Sequence, residues 1–152
     1  MRIKIYTNTS VLGGCFDEEF IEPSKKLIEE FKTGGKIILV SDLTLREIEQ
    51  APQKVQQVLQ SIPSEYKEFL TLDDESKFLA QKYIDENAIN KNFLVDAQHV
   101  AIATINRADV LVSWNFRHIV NLRKIRLYNS ANLKYGYSMI EIRSPLEVID
   151  EF

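Results

Sequence analysis

This sequence predicts an α/β fold: a mostly parallel sheet with helices on both faces, in three layers. Three observations point there. Short apolar or alternating runs near residues 3–7, 36–40 and 110–112 are separated by longer segments of helical periodicity. The run Val110-Leu111-Val112 is apolar throughout, as in a parallel strand buried on both faces. Each run is followed by polar, turn-forming residues: Asn8-Thr9-Ser10, Ser41-Asp42 and Ser113-Trp114-Asn115. No repeat, low-complexity run or linker interrupts the chain, so one domain over residues 1–152 is expected.

The opening strand comes from the alternation of Ile3, Ile5 and Thr7 with Lys4 and Tyr6. Gly13-Gly14 marks the turn that follows. Residues 22–32 predict a helix, with Pro23 in its first turn and Leu27, Ile28 and Phe31 on one face; Gly34-Gly35 stops it. Residues 36–40 form the second strand. Ser41-Asp42 then caps a helix that carries Leu43, Leu45, Glu47 and Ile48 and ends before Pro52. Residues 52–61 and 76–86 predict two further helices, the second amphipathic through Phe78, Leu79, Tyr83 and Ile84. An Asn-rich loop spans 87–93. A helix over 95–107 follows, with Ala97, Ala101 and Ala103 for close packing. After the strand at 110–112, residues 137–142 predict a late strand, and Ser144-Pro145 opens the tail.

The formal net charge of −3 argues against a molecule that binds nucleic acid over its whole surface. The charge is unevenly spread. Residues 110–140 contain no Asp or Glu but hold Arg117, Arg123, Lys124, Arg126 and Lys134, a stretch suited to phosphates or simply one whose acids lie elsewhere. Cys15 is the only cysteine, so no disulfide forms within the chain, which fits a reducing cytoplasm. The first residues, MRIKIYTNTS, hold no apolar run of signal-peptide length, and no segment approaches the ~20 apolar residues of a membrane span. A cytoplasmic protein is expected. The Gly13-Gly14 pair lacks the G-x-G-x-x-G spacing of a dinucleotide site.

In a parallel sheet the polar strand ends share one edge, where open α/β sheets bind ligands. Two acids can join them there: Glu47, about one and a half turns into the helix after the second strand, and Asp96, at the start of the helix before the third. Carboxylates gathered in one cleft raise each other's pKa, and a divalent cation relieves the repulsion. Mg²⁺ accepts one or two carboxylates together with neutral oxygens and water. Each residue also has a plainer role. Asp96 suits a helix cap or dipole partner, Glu47 a solvated charge, Asn8 a cap and Asn115 a turn. His99 lies three residues after Asp96, able to orient it or meet phosphate, and among small apolar residues it suits packing. Trp114 suits a base stack or packing. Asp17 and Asp42 are nearby acids, the latter placed as a cap.

Four motifs together resemble the PIN-domain family, especially its toxin-like bacterial and archaeal members: IYTNTSVLGG (5–14), SDLTLREIEQAP (41–52), VDAQHVAIATINRADVLVSWNFRHIVN (95–121) and GYSMIEIRSPLEVI (136–149). The resemblance implies a metal-dependent ribonuclease whose acids surround Mg²⁺ or Mn²⁺. Glu47 and Asp96 match the family's acids, and Asn8 stands where its first-strand Asp is expected, so these three form the implied catalytic and metal set. Ser10, Ser113, Asn115, Arg117 and His118 are the implied substrate-binding residues, with His118 where many members carry a further Asp. The implied partners are RNA, an antitoxin-like protein and a second copy of the chain. The neutral residue at position 8 also leaves open a non-catalytic RNA-binding or regulatory domain, or a toxin–antitoxin module.

Overall fold

The computed structural model describes residues 2–151, so the ends of the 1–152 span expected for the domain lie outside the described residues. The elements run β1 (Lys4–Thr7), α1 (Thr9–Gly14), α2 (Ile21–Lys32), β2 (Ile37–Ser41), α3 (Asp42–Glu49) and α4 (Gln53–Gln60). They continue β3 (Lys67–Leu70), α5 (Asp74–Asp85), α6 (Leu94–Ile105), β4 (Val110–Val112), α7 (Leu122–Lys134) and β5 (Ile142–Arg143). Among the described residues the five strands form one sheet in the order β3-β2-β1-β4-β5, and every neighbouring pair is parallel.

The alternation along each strand creates the layers. Tyr6, Leu39, Leu111 and Ile142 point to one face and join Leu79, Tyr83, Val100 and Tyr128 from α5, α6 and α7. Ile5, Ile38, Val40, Val110 and Val112 point to the other and join Leu12, Leu27, Phe31, Val55 and Leu59 from α1, α2 and α4. Helix α3 straddles the two, with Leu43 in the first cluster and Ile48 in the second. Burying a Leu, Ile or Phe side chain contributes about 1.5–3 kcal/mol, so both helical layers are held by apolar contact with the sheet.

Several local expectations are corrected. The late strand is shorter and later than residues 137–142: only Ile142–Arg143 pairs with β4, and the chain before it is irregular. Gly13 and Gly14 lie inside α1 rather than in a turn. A Cβ on Gly14 would lie 2.8 Å from Trp114 Nε1 and closer still to Ser24 Oγ, so glycine lets α1 approach those side chains. Ser41 occupies the N-cap of α3 without a side-chain capping bond. Asp42 instead accepts from the Leu72 backbone N–H with both carboxylate oxygens, at 3.0 and 3.2 Å, pinning the chain after β3. Strand β3 and helix α7 are additional to the elements that the sequence pattern predicts.

The strand order locates a crevice. From β1 the chain steps outward to β2 and β3, then returns past β1 to β4. Connections therefore leave β1 and β4 in opposite directions, and the gap between their carboxyl ends is the switch point at which such sheets bind ligands. Thr7 pairs with Val112 in register, which sets the following residues, Asn8 and Ser113, side by side.

Candidate active site

The crevice is built first from neutral oxygens. Ser10 Oγ donates to Asn8 Oδ1 at 2.6 Å, lies 3.4 Å from Ser113 Oγ, and accepts from the Trp114 backbone N–H at 3.0 Å. One hydroxyl thus ties the end of β1 to the end of β4. Ser113 Oγ in turn accepts from the Asn115 backbone N–H at 2.9 Å. The Asn115 side-chain oxygen accepts from the backbone N–H groups of Arg117 and His118, at 3.2 and 2.9 Å, which curls the loop after β4.

Asp96 stands in the first turn of α6 and is partly buried. Burial is the main cause that raises its pKa; the nearby His99, His118 and Asn115 side chains act to lower it, and Glu47 acts to raise it. Glu47 and Asn115 both lie near enough to Asp96 to act on its ionisation. Glu47, on α3, is exposed toward solvent but anchored: its Oε1 lies 2.6 Å from His99 Nε2.

His99 is buried, at 1% exposure, in a polar setting rather than as simple apolar packing. Its Nδ1 lies 2.7 Å from the Tyr6 hydroxyl, which lies 2.7 Å from Ser41 Oγ. Tyr6, Ser41 and Thr44 around this hydroxyl are all fully buried. Burial drives the Tyr6 phenol well above its ordinary pKa, so it stays protonated and able to donate. The sequence signal for His99 was its spacing from Asp96. Ser41 was marked only as a polar strand end and cap, and nothing local marked Tyr6; the partners of both come from other elements.

The remaining residues divide. The His118 ring stacks on Phe93 with centroids 3.8 Å apart, and its buried Nδ1 has no hydrogen-bond partner among the described residues. Burial lowers the His118 pKa, against the upward pull of Asp96. Arg117 is exposed, with its guanidinium 6.0 Å from the Phe93 ring centre. Trp114 is no free stacking platform: Phe20 covers it at 4.1 Å, and its Nε1–H donates to Ser24 Oγ at 2.8 Å. Asp17 closes a local turn by accepting from the Glu19 N–H at 2.9 Å. In the basic stretch, Lys134 is paired with Glu86, while Arg123 and Arg126 are exposed on α7. A separate concavity of about 390 Å³, lined by Cys15, Lys25, Lys32 and Lys54 among others, includes none of the crevice residues.

Among the described residues no group of three or more His, Cys, Asp or Glu is arranged to hold a metal ion. The donor chemistry of the crevice nevertheless fits a hard divalent cation that keeps most of its water. Asp96 and Glu47 offer carboxylate oxygens, and Asn8 and Ser10 offer amide and hydroxyl oxygens, the donor types such an ion accepts.

The sequence matches no family model and no curated protein. Solved structures do share the fold. The chain is similar to VapBC2 from Rickettsia felis, bound to a DNA fragment from its promoter, with 12% identity, TM-score 0.60, and coverage of 93% of this chain and 98% of that one. It is similar to FitAB bound to the IR36 DNA fragment, with 11% identity, TM-score 0.60, and coverage of 93% and 94%. VapC20 from Mycobacterium tuberculosis, a Sarcin-Ricin loop cleaving toxin, aligns with 11% identity, TM-score 0.58, and coverage of 75% and 92%. The fold is the three-layer α/β/α arrangement of PIN domains. No helix among the described residues is long and apolar enough to cross a membrane.

Proposed function

We propose that this chain is a PIN-type ribonuclease that hydrolyses RNA phosphodiester bonds with the help of Mg²⁺ or Mn²⁺. The reading is supported by the convergence of Asn8, Ser10 and Ser113 where β1 and β4 end, with Asp96 in the first turn of α6 and Glu47 tied to that same helix through His99. Glu47, Asp96 and Asn8 would hold the ion. When bound, such an ion lowers the pKa of a water and stabilises charge on a phosphoryl group. PIN-domain ribonucleases generally use divalent metals, and the fold shared with a Sarcin-Ricin loop cleaving toxin supports an RNA substrate.

The chain's own residues do the rest. Ser10 orients the Asn8 carbonyl oxygen by donating to it. Asn115 spends its oxygen on the backbone, which leaves its amide N–H₂ as the group able to donate to Asp96. Ser113 braces that loop, and Arg117 and His118 flank the crevice where substrate phosphates would pass. Asn8 keeps an oxygen but lacks a charge. At an effective dielectric of about 20, one unit charge roughly 4 Å away is worth on the order of 4 kcal/mol before desolvation. Metal affinity is weakened accordingly.

Cleavage of a mixed RNA pool with Mn²⁺ and with Mg²⁺, by wild type, Asp96→Ala and Asn8→Asp, tests the reading. Activity in wild type that vanishes in Asp96→Ala supports it. Silence in wild type with activity in Asn8→Asp identifies a site disarmed by one lost charge. Equal cleavage by wild type and Asp96→Ala refutes the assignment. Silence in all three favours an RNA-binding or regulatory domain.

The similarity to VapBC2 and FitAB favours an additional reading, in which an antitoxin-like protein restrains this chain. Co-purification with the product of a small adjacent gene would support it. A cytoplasmic location, a single domain over residues 1–152 and a homodimer complete the proposal.

A further inference from the structure

We propose that His99 is a positioning residue: a buried relay from Ser41 through Tyr6 and His99 aims Glu47, leaving its second carboxylate oxygen free at the crevice. The inference rests on the Glu47 role proposed above. It goes beyond the acids by assigning work to three residues that touch neither ion nor substrate.

The bonds have a consistent direction. A carboxylate has no hydrogen to give, so in the 2.6 Å contact with Glu47 Oε1 the proton is on His99 Nε2. In a neutral ring Nδ1 is then an acceptor, and the Tyr6 hydroxyl, 2.7 Å away, donates to it. The Tyr6 oxygen in turn accepts from Ser41 Oγ at 2.7 Å. Every donor in the relay finds an acceptor and none is duplicated.

The relay grips from rigid ground. Ser41 ends β2, Tyr6 lies in β1, and His99 lies on α6; Tyr6 and Ser41 are fully buried and His99 nearly so. Glu47 is the one member that reaches solvent, with its side chain 41% exposed. An exposed glutamate on a helix would otherwise sample several rotamers. Held by Oε1, it presents Oε2 from a nearly fixed position. His99 is also one turn along α6 from Asp96, so a single helix carries one acid and the clamp on the other. Glu47, carried by α3, is thereby tied to the helix that carries Asp96, which matters because a cation needs both at once. Partners that orient metal-binding side chains typically contribute about 10–100-fold in metal affinity or activity.

Two measurements test this. The first is the ¹⁵N spectrum of the imidazole rings in wild type and Glu47→Gln. The expected result is a His99 ring protonated at Nε2 whose Nε2 resonance moves in Glu47→Gln. A ring with bare Nε2 overturns the proposal, because such a nitrogen donates nothing to Glu47. The second is Mn²⁺ affinity by calorimetry, well below each variant's melting temperature, for wild type, His99→Ala and His99→Gln. Glutamine offers an N–H at about the reach of Nε2. The expected result is binding weakened about 10–100-fold in His99→Ala and restored to near wild type in His99→Gln. Equal affinity in wild type and His99→Ala overturns the positioning role. A wild type that binds no Mn²⁺ refutes the metal reading of the crevice, and the ring spectrum then decides whether His99 holds Glu47.

Discussion

Replacing Tyr6 by Phe removes a single oxygen from the centre of the relay, and its cost can be worked from the contacts. The hydroxyl serves Ser41 Oγ and His99 Nδ1, each at 2.7 Å. Both residues are buried, so water cannot replace it. A buried polar group left without a partner costs about 1–3 kcal/mol. The Ser41 hydroxyl can rotate and recover part of its loss, whereas the His99 ring is held by its bond to Glu47. The expected destabilisation is about 2–4 kcal/mol. For a domain of this size each kcal/mol lowers the melting temperature by about 2–4 °C, which gives a drop of roughly 4–16 °C. Thermal melts followed by circular dichroism, with urea titration as a check, measure it without any need for a substrate. Tyr128→Phe supplies the control. Its hydroxyl makes one bond, to the His118 carbonyl at 2.7 Å, worth about 0.5–1.5 kcal/mol. A Tyr6→Phe protein that melts with wild type, or above Tyr128→Phe, would refute the relay as an energetic unit.

Asp96→Asn should raise the melting temperature at pH 7 in metal-free buffer while abolishing cleavage. Burial raises the Asp96 pKa, so its contribution to stability is full below the ordinary carboxylate value near 4 and is lost as pH rises through the raised one. The advantage of the Asn variant should therefore disappear near pH 3, and an advantage that persists there would contradict the assigned cause. Asn8→Asp should bind Mn²⁺ at least about tenfold more tightly by calorimetry, yet melt lower without metal because it adds a third carboxylate to the crevice. Gly14→Ala should cost about 1–3 kcal/mol by overpacking and shift the Trp114 fluorescence, since the added Cβ meets the indole. An unshifted spectrum would mean that the helix and indole do not meet.

The sheet's core strands were legible because their cause is local. Burial on two faces demands unbroken apolar runs, and Val110–Val112 and the residues of β2 carry them. Asp96 and Asn8 were legible as candidates because a strand end and a helix start are readable from adjacent residues, and Glu47 as an acid on the helix that follows such a strand end. Strand β3 was not legible. It lies at the sheet edge with Phe69 57% exposed, so Lys67–Leu70 shows no apolar alternation and is extended by its pairing with β2. Helix α1 was read as a turn because its two glycines are poor helix formers, while the contact that rewards Gly14 comes from Ser24 and Trp114. The setting of His99 lay furthest from the sequence's reach. Its bonds to Tyr6 and Glu47 span separations of 93 and 52 residues, and no spacing rule along a helix or strand encodes them. By itself the sequence determined which side chains end the strands and open the helices, since side-chain type and strand-end position are local properties. Only the tertiary structure decided how those groups face one another, because that depends on the strand order and on which helix face meets the sheet.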